Sequence, residues 1–479
     1  MGPAVAIIGA GFGGLCMAIR LQQAGIDSYT VFEKGHDVGG TWRDNTYPGA
    51  GCDIPSHLYS YSFERYSSWT RRYPGQPEIL AYLEMCADKY GVRPHLRLNT
   101  EVVSAAFDEA LGRWRVRTDG GEELFDVVVS AVGQLNRPHL PEIPGGSSFA
   151  GPSFHSARWD HATDLTGRRV AVIGSGSSAA QLIPPVAEAA AHLDVFQRTP
   201  NWVIPKPDAA FGPLTQTAFH RVPLVQRAYR EWIYRYAEGT LYQALAGGWS
   251  AGLLRKRALE HLNDQVPDAG LRARLTPDYP IGCKRVIIDS KFYPALTRPD
   301  VDVVTDRITR IVPEGVETSA GLREADVIVY ATGFRTTDFL SPVEITGRQG
   351  RRLGDEWKDG AEAYLGIAVP HFPNLFLLYG PNTNLGHNSV VFMIESQVRY
   401  IMGCLPYLAD RGPMEVRPEA MESWRRSLER AMDGMVWQAG CASWYKNAAG
   451  RVTNNWPGPT PLYRRLTRAP RPAAFRFAR

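Results

Sequence analysis

Hydrophobic positions follow a repeating order along this chain. Residues 4–8 form a continuous apolar run, which predicts a parallel strand buried on both faces. The run stops at Gly9, and Leu15, Ala18, Ile19 and Leu21 then recur at helical spacing. A second strand is predicted over 28–32 and ends at Glu33. The same order returns in "RRVAVIGSGSSAAQLIPPVAEAAAHLDVFQRTP": an apolar strand over 170–173, a turn at Gly174 and Gly176, a helix, and another strand. Two further apolar runs, "FDVVVSAVGQLNRP" (125–138) and "ADVIVYATGF" (325–334), end in small residues and glycine. Between about 205 and 280 strand character is lost. There "QRAYREWIYRYAEGTLYQALAGG" reads as helix, packed at a domain interface rather than touching substrate.

Gly9, Gly11 and Gly14 stand at G-x-G-x-x-G spacing between strand and helix, with an acid about 20 residues on, which is what a dinucleotide site requires. Gly9 permits the tight turn, Gly11 lets a pyrophosphate approach the backbone, and Gly14 lets helix and strand pack closely. The helix N-terminus offers N–H groups to the phosphates, and Glu33 is placed to accept from ribose hydroxyls. Gly39 and Gly40 extend this site as they do in FAD-binding proteins. In the second turn Gly174, Gly176 and Ala179 repeat the pattern, but the following strand ends at Arg198 rather than at an acid. A carboxylate there would repel a 2′-phosphate and an arginine attracts one, so this half is expected to bind NADPH. The expected fold class is α/β, with two dinucleotide-binding Rossmann-like domains. An FAD-binding domain is expected over 1–145 and 329–479. An NADPH-binding domain over 146–328 is inserted in it and includes the helical region at about 205–280.

Composition changes this picture little. A chain of 479 residues suits two or three domains. The net charge of +4 is scattered, so no nucleic-acid partner is expected. No uncharged apolar stretch reaches the ~18 residues of a membrane span, and no leader is expected. Cys16, Cys52, Cys86, Cys283, Cys404 and Cys441 are widely separated and contain no C-x-x-C. They are expected to be reduced thiols in a cytoplasmic protein, with no metal site, no redox disulfide and no disulfide-reductase activity.

At the join between the two halves lies "FAGPSFHSARWD", that is Phe149, Gly151, His155, Trp159 and Asp160 at the spacing F-x-G-x-x-x-H-x-x-x-W-D. This sequence resembles the Baeyer–Villiger monooxygenases, whose signature it meets at every specified position. The resemblance extends through "VGGTWRDNTYPGAGCD", "QRTPNW", "CKRVIIDSKFY", "GPNTNLGHNS" and "NNWPGP". It implies an FAD- and NADPH-dependent enzyme that uses O2 to convert a small-molecule ketone to an ester or lactone by way of a C4a-peroxyflavin. Two other readings stay open: a heteroatom monooxygenase oxidising sulfur or nitrogen, and a non-catalytic FAD/NADPH-binding redox sensor.

The resemblance also assigns residues. Oxygen anions call for a permanent cation near the flavin, and the candidate is Arg285, held by Asp53 as the family's counterpart by position. Lys284 is a second contact to the 2′-phosphate. Thr41, Trp42, Arg43, Asp44 and Tyr59 are expected to line the flavin, and Val102 to meet the adenine. Gln134, Ser175, Gly176, Ser177, Ser178, Gln181 and Thr199 are expected around NADPH. His155 and Trp159 are expected to couple domain motion to turnover. Trp456 reads either as the tryptophan of a loop closing over NADPH or as a core tryptophan beside prolines.

Overall fold

The computed structural model describes residues 2–441 and 443–477. Two five-stranded sheets dominate it, and every strand pairing within them is parallel. In the first, Val5–Ile8 is central, with Tyr29–Phe32 and then Leu96–Arg97 on one side. Val127–Ser130 and Leu375–Leu377 lie on the other side. In the second sheet, Arg169–Ile173 is central, flanked by His192–Phe196 and Val301–Val304 on one side. Val327–Tyr330 and Ser153–His155 complete it. The central strands Val5–Ile8 and Val127–Ser130 are buried at every residue, as strands covered on both faces must be.

Each half also carries a three-stranded antiparallel meander just before the strand that returns to its sheet. One spans Val102–Asp108, Arg113–Thr118 and Gly121–Phe125; the other spans Ile308–Val312, Gly315–Thr318 and Gly321–Glu324. The two halves are thus one topology used twice, and their sheets pack in separate apolar cores. The whole of Val327–Tyr330 belongs to the second sheet, so the chain leaves that sheet after Tyr330. It rejoins the first sheet at Leu375–Leu377, beyond a stretch that includes the edge strand Glu344–Thr346.

The region around 205–280 is helical, with Pro213–Arg221, Pro223–Tyr236, Ser250–Gln265 and Ala269–Leu275 as its main helices. The 22-residue helix Val390–Arg411 covers the first helix, Phe12–Gln23. Among the described residues no helix is long and apolar enough to cross a membrane. One expectation is corrected. Cys283 and Cys441 form a disulfide across 158 residues of sequence, leaving four free cysteines, all buried. Spacing rules that look for C-x-x-C cannot register a pair so far apart.

Candidate active site

The C-terminal ends of both sheets open onto a single cleft of about 1450 Å³. Both glycine turns line it, and each supplies an uncapped helix N-terminus: Gly11 and Gly176 are the N-cap residues, and neither helix is capped by a side chain. Gly9 (φ +104°) and Gly174 (φ +119°) are fixed by the protein itself, because a Cβ would meet Ala131 O at 2.7 Å and Ala331 O at 2.4 Å. Gly11 and Gly176 are different. A Cβ at Gly176 would meet no protein atom within 4 Å, and at Gly11 only Gly40 Cα at 3.7 Å. The room these two glycines preserve lies in the cleft, where a phosphate group approaching the N–H groups needs it. Gln134 Oε1 is buried in the same wall without a hydrogen-bond partner. The cleft therefore fits two dinucleotides.

Glu33 stands at the cleft edge, yet its carboxylate is largely engaged. It accepts from Ala10 N and Gly35 N at 2.8 Å each and pairs with Arg43 Nη1 at 2.9 Å. Arg43 also pairs with Asp44 at 2.8 Å. Thr41, Trp42, Arg43, Asp44, Tyr59 and Val102 all line the cleft. Trp42 Nε1 donates to Tyr59 Oη at 3.2 Å, fixing both rings edge to face.

On the other side Ser175, Gly176, Ser177, Ser178, Arg198 and Thr199 line the wall. Arg198 is exposed. Lys284 donates to Thr199 Oγ1 at 2.7 Å. Burial and then the nearby Arg198 charge hold the Lys284 pKa below its ordinary value. Two cations facing one another make a place where an anion is favoured. Gln181 reaches the cleft but its amide is spent on the first half: Oε1 accepts from Tyr47 Oη at 2.8 Å, and Nε2 donates to Gly51 O at 2.9 Å.

Between the two turns sits the ion pair. Arg285 Nη2 donates to both Asp53 oxygens, at 2.7 and 2.6 Å, and Nε donates to Oδ2 at 3.1 Å. The Asp53 charge raises the guanidinium pKa still further above its ordinary value, against the opposing effect of burial. Arg285 keeps 27% of its side chain open and lines the cleft, so a fixed positive charge faces the space between the two nucleotide sites. Tyr379 also lines the cleft, and its phenol pKa is raised by burial against the opposing pull of the Arg285 charge.

His155 and Trp159 lie outside the cleft wall. His155 ends an edge strand of the second sheet, and its Nδ1 accepts from Ala157 N at 3.0 Å. Its ring meets Phe334 edge to face at 5.8 Å. Phe334 belongs to the crossing back to the first half, where residues 137–139 and 332–335 run side by side. There His139 N donates to Gly333 O and Arg335 N donates to Arg137 O, each at 2.9 Å. Trp159 packs edge to face on Phe154 at 5.1 Å. Gly14 is also behind the wall, packed so tightly that a Cβ would lie 1.8 Å from Gly9 O.

Trp456 does not reach the cleft. It is 3% exposed, stacks on Trp424 at 5.9 Å and 9°, and packs edge to face against Tyr463 at 5.3 Å. It is the core tryptophan of the two readings. The tryptophan of this segment that lines the cleft is Trp444, with Lys446 beside it. The sequence reading also missed Asn384 and Asn388 in the wall, although the polar run "GPNTNLGHNS" beside an apolar strand marks them. A group of metal-ligand type, His192, Asp194 and Asp302, lies away from the cleft. Arg323 Nη1 already bridges its carboxylates at 3.4 and 2.9 Å.

Residues 2–221 match the family model described as flavin-binding monooxygenase-like. A Baeyer–Villiger monooxygenase of Pseudomonas aeruginosa is 44% identical over 97% of this chain and 89% of its own length. One of Streptomyces coelicolor is 43% identical over 97% and 90%. Among solved structures, an oxidised steroid monooxygenase bound to NADP superposes with a TM-score of 0.87 at 32% identity, covering 98% of this chain and 97% of its own. A closed cyclohexanone monooxygenase superposes with a TM-score of 0.88 at 29% identity, covering 99% of each chain.

Proposed function

The chain belongs to the Baeyer–Villiger monooxygenases, and from that premise we propose how its own residues divide the work. The protein is an FAD- and NADPH-dependent monooxygenase: a ketone, O2, NADPH and a proton give an ester or lactone, NADP⁺ and water. The bound cofactors supply the hydride and the oxygen-activating electrons. The Gly9–Gly11 turn and the first sheet hold FAD, with Thr41, Trp42, Arg43, Asp44, Tyr59 and Val102 around it. The Gly174–Gly176 turn and the second sheet hold NADPH, with Arg198 and Lys284 receiving the 2′-phosphate and Gln134 offering its unpaired amide oxygen. Because the reaction draws on NADPH, we place the protein in the cytoplasm, where the Cys283–Cys441 disulfide is the exception beside four free cysteines.

Arg285 is the catalytic cation and Asp53 its positioning partner. A guanidinium does not lose its proton at working pH, so it holds charge in the cleft wherever an oxygen becomes anionic during insertion. Asp53 compensates that charge and fixes the plane of the fork, which a half-buried arginine requires. His155 braces the paired crossings and acts on their motion rather than on a proton. The observation that carries this reading is the bidentate Arg285–Asp53 pair facing the cleft between two ligand-shaped glycine turns.

The test is a panel of cyclic, linear and steroidal ketones with a sulfide included. In Arg285→Ala, NADPH oxidation persists while ester formation falls by about two to three decades, hydrogen peroxide leaving instead. Arg285→Lys, which keeps charge but not the fork, falls between the two. Ester formation at the unmutated rate in Arg285→Ala overturns the assignment.

A further inference from the structure

The Cys283–Cys441 disulfide stands beside the reacting groups. Cys283 is two residues before Arg285 and one before Lys284; Cys441 is three residues before Trp444 and five before Lys446. One covalent bond therefore joins the loop bearing Lys284 and the cleft-lining Arg285 to the segment forming another wall of the cleft.

The half of the wall segment that carries Cys441 has little regular structure of its own. Among the described residues of 434–452 its one regular element is the three-residue turn Val436–Gln438. Its apolar residues, Met435, Trp437, Tyr445 and Val452, form a small cluster with Leu245 and Met432, apart from the cores of both sheets. Lys446 Nζ donates to Ala439 O at 2.9 Å, a bond within the segment itself. Beyond Trp444 the segment is tied to the body: Thr336 Oγ1 donates to Trp444 O at 2.9 Å, Asn447 Nδ2 donates to Asp359 O at 3.0 Å, and Arg451 pairs with Glu362 and donates to Gly360 O, so Cys441 is the covalent tie of the half that precedes Trp444.

We propose that Cys283–Cys441 is a reversible thiol–disulfide latch: closed, it holds the Trp444–Lys446 wall against the Arg285 loop, and opened by a soluble dithiol, it releases that wall. This rests on the assignment of Arg285 above. Cys283 is fully buried and Cys441 is partly exposed, so the dithiol attacks Cys441 Sγ. The S–S bond breaks, and Cys283 leaves as a thiolate and takes up a proton. The second sulfur of the dithiol then displaces Cys441 from the mixed disulfide. Two electrons and two protons pass to the protein, and the dithiol departs as a cyclic disulfide.

The test uses FAD-loaded full-length protein purified in air, half of it treated with dithiothreitol and then freed of reagent. Alkylation in denaturant followed by mass measurement reads four thiols in the untreated half and six in the treated half. Trypsin cleavage after Lys446 and Arg451, mapped by mass, is about tenfold faster in the reduced protein, because local opening of the segment governs access. Ester formed per NADPH falls several-fold on reduction and returns when diamide restores the bond. The double variant Cys283→Ser/Cys441→Ser cleaves like the reduced protein and ignores dithiothreitol. Six thiols in the air-purified protein, or equal cleavage in the two redox states, overturns the latch. The thiol count and cleavage hold whether or not the protein makes ester, so a failure of the Arg285 assignment shows separately, in the ester yield alone.

Discussion

The two glycine turns are the same device built for different ligands. Both follow a buried parallel strand, both begin with a glycine at positive φ against an alanine carbonyl, and both end at an uncapped helix. They differ at the end of the next strand. Glu33 is 5% exposed and held by two backbone N–H groups and Arg43. Arg198 is exposed, faces the cleft and forms no ion pair among the described residues, and its charge acts on that of Lys284. They differ also where helix meets strand. Gly14 allows the first helix to touch its own turn, whereas the second half has Ala179 at that place, fully buried. The first turn is closed and self-satisfied, suited to a cofactor that stays. The second keeps two neighbouring cations without an ion pair among the described residues, suited to one that is exchanged each turnover. Unpaired like charges raise the free energy of the empty site and are relieved by the arriving anion.

The largest effect comes from breaking the close contact on one side only. A Cβ at Gly14 would lie 1.8 Å from Gly9 O, a backbone atom that cannot step aside. Gly14→Ala is expected to cost about 3 kcal/mol or more and to yield protein depleted of FAD. Ala179→Gly, the reverse change in the second half, removes no contact of that kind and costs about 1 kcal/mol as a helix substitution. Flavin absorbance and thermal melting of the two variants check this. Equal FAD content in Gly14→Ala and the unmutated protein would end the claim that the first turn is closed.

Next comes the charge that marks the second turn. Arg198→Ala is expected to raise KM for NADPH by one to two orders of magnitude, since one charge-assisted contact contributes about 1.5–3 kcal/mol. KM for NADH is expected to stay nearly the same. Steady-state rates with each nucleotide read the ratio, and equal losses for both would mean that Arg198 supports the fold rather than the 2′-phosphate.

How much of this was legible in the chain follows from the range over which each signal acts. Gly9, Gly11 and Glu33 declare themselves within one strand–turn–helix, as do Gly174, Gly176 and Arg198, because backbone geometry and ligand approach constrain residues close in sequence. Arg285 and Asp53 are separated by 232 residues, and only a whole-chain resemblance put them together. Cys283 and Cys441 lie 158 residues apart with no motif around either, so nothing local in the chain distinguishes them from the four free cysteines. Trp456 and Trp444 show the limit most plainly. Both lie in the same polar segment, and the choice between core and cleft was made by Trp424, on the helix Pro418–Met432, which offers a flat partner to one of them. That neighbour is a tertiary fact. Gln181 likewise read as part of a phosphate cradle, but its amide spans to Tyr47 and Gly51 of the other half.

The smallest expected effect concerns the join between the turns. Burial lowers the His155 pKa to about 4 from an ordinary 6.5, because the charged ring would leave water for the space beside Phe334. The folded state excludes a proton that the unfolded chain binds, so stability is full above pH 6.5 and falls as the pH is lowered through 6.5 toward 4. The slope from one such histidine is at most about 1.4 kcal/mol per pH unit. His57, also lowered to about 4 by burial, adds a second contribution of the same sign. His155→Asn keeps an acceptor for Ala157 N and removes the titration. Its melting temperature should therefore fall less steeply between pH 6.5 and 4, with the His57 share remaining, while at pH 8 the two proteins melt within a few degrees. Because His155 touches the crossing and neither turn, FAD content and KM for NADPH should stay put while turnover drops. A variant with the unmutated pH slope would show that His155 is charged in the fold, and the brace on Phe334 would then have to be rebuilt around an imidazolium.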